Sequence, residues 1–357
     1  MNDRFLRACR RQSVDTTPVW FMRQAGRSLP EYRTIRQRAS LLDITRDPAL
    51  CAEVTLQPVR RLGVDAAILF ADITTPLAGL GVAVDIVDGI GPIIEPPIRS
   101  AADLERLRSF DPAAAVGPLL EAVRIVRRES PVPLIGFAGA PFTLASYLVE
   151  GRSSPDAARL KALLHAEPRA ADRLLERLVD MTIAYLGAQV AAGAQAVQLF
   201  DSWIGTLSPF DYERSVAPHM HRLFGGLGDL GVPVIHFGTG SAGLLRQMAA
   251  AGGDVIGLDW RIGLDEGWAL VGERAVQGNL DPSLLRGPFD AVAHQARWVL
   301  DQAAGRPGHI FNLGHGVPPE ADPDDLRRLV DLVHEVTARR DPSLAPRAAT
   351  SIAGSSR

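Results

Sequence analysis

The chain has 357 residues, 46% of them hydrophobic and 22% charged, with 38 Lys and Arg against 41 Asp and Glu, for a formal net charge of −3. That balance belongs to a globular protein with a large core; it excludes disorder over most of the length and argues against a general nucleic-acid binder. Length alone admits either two domains or one large α/β barrel.

From the N-terminus, Asp3, Arg4, Arg7, Arg10 and Arg11 interrupt any apolar secretory core, and no run approaches the roughly 18 apolar residues that a membrane span needs. A cytoplasmic protein without membrane association is expected. Cys9 and Cys51 are the only cysteines, too few for a disulfide framework or a cysteine metal site, so both are expected as reduced thiols.

Residues 18–36, PVWFMRQAGRSLPEYRTIR, reverse the sign of the chain: residues 1–38 hold nine arginines against three acids. A short apolar run at 19–22 delivers Arg23 and Arg27, split by Gly26, in the manner of a strand end feeding a basic loop. Further apolar runs rich in branched residues follow at 66–70, 133–137, 196–200, 233–237, 255–258, 275–277 and 309–312. Helical spacing fills 48–62, 116–128, 168–192, 209–227, 242–251, 264–271, 288–304 and 323–338. A run followed by a helix, repeated eight times, predicts a single-domain (β/α)8 barrel, an α/β TIM barrel, over 1–340. Two stretches depart from the beat. Residues 82–98 read as a hairpin extension that helps cover the mouth, and 341–357, rich in Ala, Ser and Pro, as a flexible C-terminal tail.

Polar or glycine residues stand just past every run: Arg23, Asp72, the stretch from Gly139 to Tyr147, Asp201 with Ser202, Gly238, Asp259, Asn279 with Asp281, and Gly314 with His315. Barrel enzymes carry their chemistry at these strand ends. Guanidinium donors match carboxylates and phosphates, so Arg23 and Arg27 point to a polyanionic substrate, whereas Arg33, Arg36 and Arg38 read equally as a solvated face. Asp72 is either a salt-bridge partner of these arginines or a contact for an N–H-bearing part of the substrate. Around Gly139 the small residues would let a ligand approach the start of a helix, on which Tyr147 alone reads as a packed side chain. His315, between two glycines, sits where its ring can approach a ligand. No HExxH or GxSxG occurs, the stretch from Gly136 to Gly151 is neither a P-loop nor a dinucleotide fingerprint, and no metal or organic cofactor is expected.

The segments PVWFMRQAGRSLPEYR, ILFADI, GFAGAPFTLASYLVEG, AVQLFDSWIG, DVIGLDW, VQGNLDP and FNLGHGV occur in this order, and through them about residues 3–340 closely resemble the uroporphyrinogen decarboxylase family. Ser28 stands where the family usually has Tyr, and Ile204 where a small residue is common. The resemblance implies a (β/α)8 barrel, a homodimer with facing clefts, and cofactor-free decarboxylation of the acetate side chains of uroporphyrinogen III to methyl groups, giving coproporphyrinogen III and CO2 in haem biosynthesis. It also carries the family's substrate-binding and catalytic positions onto Arg23, Arg27, Arg36, Asp72, Tyr147, Ser202 and His315, with Phe200 as an apolar wall; it alone promotes Arg36 and Tyr147. Asp72 would accept pyrrole N–H groups and stabilise a cationic ring, the arginines would pair with carboxylates, and proton delivery stays open between Arg23 and His315. Corrinoid methyltransferases of the same superfamily carry a His-x-Cys zinc pair after a strand, whereas residues 236–239 here read HFGT.

Overall fold

The computed structural model describes residues 2–87 and 89–338. Its strands are β1 (Ala67–Ile68), β2 (Val84–Val87), β3 (Gly91–Ile94), β4 (Leu134–Gly139), β5 (Ala196–Asp201), β6 (Val234–Gly238), β7 (Val255–Gly257), β8 (Ala275–Gln277) and β9 (His309–Ile310). Apart from the antiparallel pair β2 and β3, they form one curled parallel sheet in chain order. Every residue of β4 is buried, as expected of a parallel strand covered on both faces by neighbouring layers, and this is why such strands read as continuous apolar runs.

The helices between strands start and stop where local chemistry directs. Asp47 accepts the Leu50 N–H ahead of the helix Pro48–Leu62, and Gly63, at φ 70°, ends it. The expected helix over 209–227 is two helices, Pro209–Ser215 and Ala217–Leu227. Pro218 cannot donate back to Arg214, so the chain breaks at Val216 and restarts with the proline in the first turn.

The run at 19–22 is the eighth stave, although it forms only a single bridge, Val19 to Phe311. On one side Phe311 N donates to Pro18 O at 2.9 Å and Trp20 N to Phe311 O at 3.3 Å; on the other Asp65 N donates to Val19 O at 2.7 Å. The buried Asp65 carboxylate replaces the missing ladder bond by accepting Val19 N–H at 2.8 Å. It also takes Asn2 Nδ2, Arg4 Nη1 and His334 Nε2 at 3.0, 2.6 and 2.7 Å, tying both ends of the described chain to the closing stave.

Inside the barrel Trp20 Nε1 donates to Gln277 Oε1 at 3.0 Å, and Gln277 Nε2 to Gln198 Oε1 at 3.1 Å, a buried polar line across the interior. Toward the C-terminal strand ends Phe137, Phe200 and Phe237 meet edge to face, with centroids 5.5 and 6.1 Å apart.

The hairpin is present, with Asp88 outside the described residues. Its backbone is fastened to the end of the helix Pro141–Glu150, where Ile94 N donates to Gly151 O at 2.8 Å, and none of its described residues bonds to Arg23, Arg27, Asp72 or His315. The expected tail at 341–357 lies outside the described residues. Among them, no helix is long and apolar enough to cross a membrane. Cys9 and Cys51 are buried and unpaired, and burial pushes the Cys51 thiol up to about 12.

Candidate active site

The loop after the first stave is held from within. Gln24 accepts Phe21 N–H at 3.0 Å and donates to Ala66 O at 2.9 Å, while Val317 N donates to Met22 O at 2.8 Å. Between these ties Arg23 adopts φ 61°, a left-handed conformation that costs a non-glycine residue on the order of 1 kcal/mol. Its side chain occupies the space that a Cβ on Gly316 would need.

The arginine cluster divides in two. Arg23 and Arg27 are exposed, and among the described residues neither makes a hydrogen bond or ion pair with its side chain. Arg33 Nη2 instead donates to Ser28 O at 3.1 Å and Arg36 Nη1 to Ala39 O at 2.7 Å, both belonging to the helix Pro30–Arg36 and its flanks.

Asp72 follows β1 in a turn that leads into the 3-10 helix Thr75–Leu80. Thr74 donates to Asp72 Oδ1 twice, from N at 2.8 Å and Oγ1 at 2.6 Å. One carboxylate oxygen is therefore fixed, while Oδ2 has no hydrogen-bond partner among the described residues. Asp72 makes no ion pair with a described arginine, so the arrangement is not the internal salt bridge that the sequence left open.

Tyr147 is buried on the helix Pro141–Glu150, its ring 6.1 Å from Trp203. Burial first and the Asp72 charge second push the phenol above its ordinary value, so it stays a hydroxyl donor. Ser202 is half-buried and makes no side-chain hydrogen bond among the described residues. Phe200 presents part of its ring from the end of β5. The reading of Gly139 as a ligand approach is corrected: a Cβ there would lie 2.7 Å from Leu144 Cδ2, so the missing side chain makes room for packing.

His315 is framed on both sides. A Cβ on Gly314 would lie 2.3 Å from Trp260 N, and the Trp260 ring meets the imidazole edge to face at 6.4 Å. Burial, then the charges of Arg23 and Arg261, lower His315 to about 4 against the opposing pull of Asp259, so the ring is neutral near pH 7. Arg23, Asp72, Tyr147 and His315 thus share one mouth, with Ser202 and Phe200 at the adjoining strand end, while Arg36 is tied to its own helix end.

Two features escaped the sequence reading. Trp260 and Arg261 border His315 but lie in a stretch, GLDWR, whose composition signals only another strand end. Beneath the mouth, Asp201 and His236 are fully buried with Oδ2 and Nε2 3.5 Å apart, and Asp201 Oδ1 accepts Thr143 Oγ1 at 2.9 Å. The histidine of the HFGT stretch is therefore turned toward Asp201, with its ring 5.3 Å from that of Phe224. Among the described residues no group of three or more His, Cys, Asp or Glu side chains is disposed to hold a metal ion.

A parallel α/β barrel that gathers an exposed arginine, a half-tethered carboxylate and a neutral imidazole in one mouth has the form of a barrel enzyme with its site at the strand ends. The family described as Uroporphyrinogen decarboxylase (URO-D) matches residues 1–336. The uroporphyrinogen decarboxylase of Salinispora tropica is 56% identical over 337 residues, covering 94% of this chain and 91% of its own. That of Thermus thermophilus is 53% identical over 338 residues, covering 95% and 99%. A solved methyltransferase from Methanosarcina mazei has a TM-score of 0.78 at 20% identity, covering 94% of this chain and 98% of that one, a likeness of fold alone. The chain belongs to the uroporphyrinogen decarboxylase family.

Proposed function

We propose that the chain is the carboxy-lyase its family names, converting the acetate side chains of uroporphyrinogen III to methyl groups and giving coproporphyrinogen III and CO2. Identity of 52–56% over nearly the whole chain to relatives bearing that name supports the activity. The observation that carries the mechanism is Asp72, with one oxygen fixed by Thr74 and the other without a hydrogen-bond partner among the described residues.

A pyrrole acetate loses CO2 only if the electron pair of the breaking bond has somewhere to go. Protonation of the ring carbon next to the acetate-bearing one makes the ring cationic. The C–CO2 bond then breaks, its electron pair forms an exocyclic methylene and neutralises the ring, and CO2 leaves. A proton added to the methylene makes the methyl group, and loss of the first proton restores the pyrrole. The ring is its own electron sink, so no organic cofactor is required.

In this reading Asp72 Oδ2 accepts the pyrrole N–H groups and stabilises the cation as it forms, while Arg23 and Arg27 bind side-chain carboxylates. Tyr147 and Ser202 supply hydroxyls, Phe200 forms an apolar wall, and Arg36 binds carboxylate at the rim. His315, neutral near pH 7, serves as a hydrogen-bonding imidazole and proton acceptor in the free enzyme. The family's homodimer, with its clefts face to face, is part of the same proposal, as are a cytoplasmic location and a single barrel domain over 1–340.

Anaerobic incubation with uroporphyrinogen III, followed by oxidation and chromatography of the porphyrins, tests the activity. Progressive loss of carboxylates with matching CO2 release is expected. Recovery of the starting porphyrin alone after prolonged incubation would refute it.

A further inference from the structure

Arg261 belongs to none of the positions carried over from the family, yet it stands in the same mouth. Four layers lead to it: the Arg23 side chain lies over Gly316, His315 immediately precedes that glycine, Trp260 meets the His315 ring at 6.4 Å, and the Arg261 guanidinium lies 3.9 Å above the Trp260 ring centroid. Arg23 and Arg261 are therefore both neighbours of one imidazole, the first through Gly316 and the second through Trp260. Both guanidiniums depress its basicity, consistent with that spacing.

The guanidinium of Arg261 is held but not used up. Asp259, with its side chain 1% exposed, accepts Arg261 N–H at 2.9 Å and Nη1 at 2.6 Å, and also Gly240 N–H at 2.5 Å. Stacking on Trp260 occupies one face. The Nε and Nη2 edge has no hydrogen-bond partner among the described residues, and the side chain is 49% exposed. A planar cation fixed by its face and one nitrogen, with an open two-donor edge, is prepared to grip a carboxylate in a bidentate pair. A brace for the loop alone would need only the Nη1 contact.

We propose that Arg261 is a further substrate-binding residue, taking a peripheral carboxylate of the tetrapyrrole beside His315 and separate from those held by Arg23. This rests on the decarboxylase reading for the identity of the substrate, and on the mouth geometry for the site. Asp259 and Trp260 act through Arg261 as positioning residues. The contact grips a carboxylate that is retained while another is lost, so it acts on binding more than on the chemical step.

The test compares wild type, Arg261→Gln and Arg261→Lys with uroporphyrinogen III, alongside fluorescence titration with oxidised uroporphyrin III and a thermal melt. Arg261→Gln keeps a donor for Asp259 but loses the charge and the fork. A KM about tenfold higher, a kcat within about twofold of wild type and a similarly weakened uroporphyrin affinity are expected, the scale of one lost charge-assisted contact. Arg261→Lys should recover part of the affinity. An unchanged KM and uroporphyrin affinity in Arg261→Gln would overturn the inference, as would a lower melting temperature and kcat without any change in binding. If wild type releases no CO2, the decarboxylase reading fails by itself, and uroporphyrin affinity still decides the role of Arg261.

Discussion

Arg23 lies across the bare Cα of Gly316, so closely that a Cβ added there would come within 2.5 Å of its Cδ. The glycine is thus a socket for the arginine. Its backbone has no need of a left-handed conformation, since φ at Gly316 is not positive, unlike Arg23 itself at 61°. Gly316→Ala should displace the guanidinium by about an ångström or more while leaving the barrel intact. We expect kcat/KM to fall by about 10- to 100-fold, the scale of a misplaced positioning group, with a melting temperature near wild type. Wild-type kinetics in this variant would show that the placement of Arg23 does not matter.

Asp72 invites separation of charge from position. Asp72→Asn keeps the shape and can still accept from Thr74, but removes the negative charge offered to the developing pyrrole cation. A loss of about 10²- to 10³-fold in kcat is expected, as for removal of one preorganised electrostatic contact. Thr74→Val removes the Oγ1 donor and leaves the Thr74 N–H bond, so its effect should be smaller and should fall on the same parameter. Near-wild-type turnover in Asp72→Asn would eliminate the electrostatic role.

Much of the barrel is legible in the sequence because a parallel strand buried on both faces reads as an unbroken apolar run, and β4 to β9 lie within or beside the runs identified. The short helices Arg4–Cys9, Pro30–Arg36 and Leu41–Arg46 were missed because six or seven residues are too few to display a helical period. In the mouth, residue type at a strand end suffices to pick out Arg23, Asp72 and His315. Which arginines are open is decided by contacts such as Arg36 to Ala39 O, and no spacing rule reports them. Gly139 shows the converse, since a small residue at a strand end looks the same whether it admits a ligand or Leu144. Asp65 was passed over because its partners Val19 and His334 are 46 and 269 residues away.

Asp65 carries a prediction about stability and none about chemistry. Its buried carboxylate accepts from Val19, Asn2, Arg4 and His334 and supplies the hydrogen bond that the first stave lacks on that side. Asp65→Ala would take this acceptor from a buried N–H and from three cationic or polar side chains. Destabilisation of about 3–5 kcal/mol is expected, the range for breaking a buried charged network from one side. His334→Ala removes a single partner at the edge and should cost less. Chemical denaturation of both variants checks the order, and a reversed order would place the clamp elsewhere.

His309 and His315 make opposite demands on acid stability from those of salt-bridged histidines. Burial lowers each to about 4, and His309, whose Nε2–H donates to Gly278 O at 2.9 Å, is packed wholly inside. In the unfolded chain both would titrate near 6.5. The folded state therefore binds fewer protons than the unfolded state between those values, and stability falls as the pH is lowered. The contribution of each ring is full above about pH 6.5, declines from there toward pH 4, and is lost below. For fully buried His309 the total is on the order of 3 kcal/mol. His309→Gln offers an amide donor toward Gly278 O and does not titrate, so its unfolding free energy should depend less steeply on pH across that window than that of wild type. His315→Asn should flatten the same window by a smaller amount, because that ring is partly open to the mouth. Urea unfolding at a series of pH values provides the measurement. Equal slopes in wild type and His309→Gln would mean that the buried ring is not held neutral by the fold.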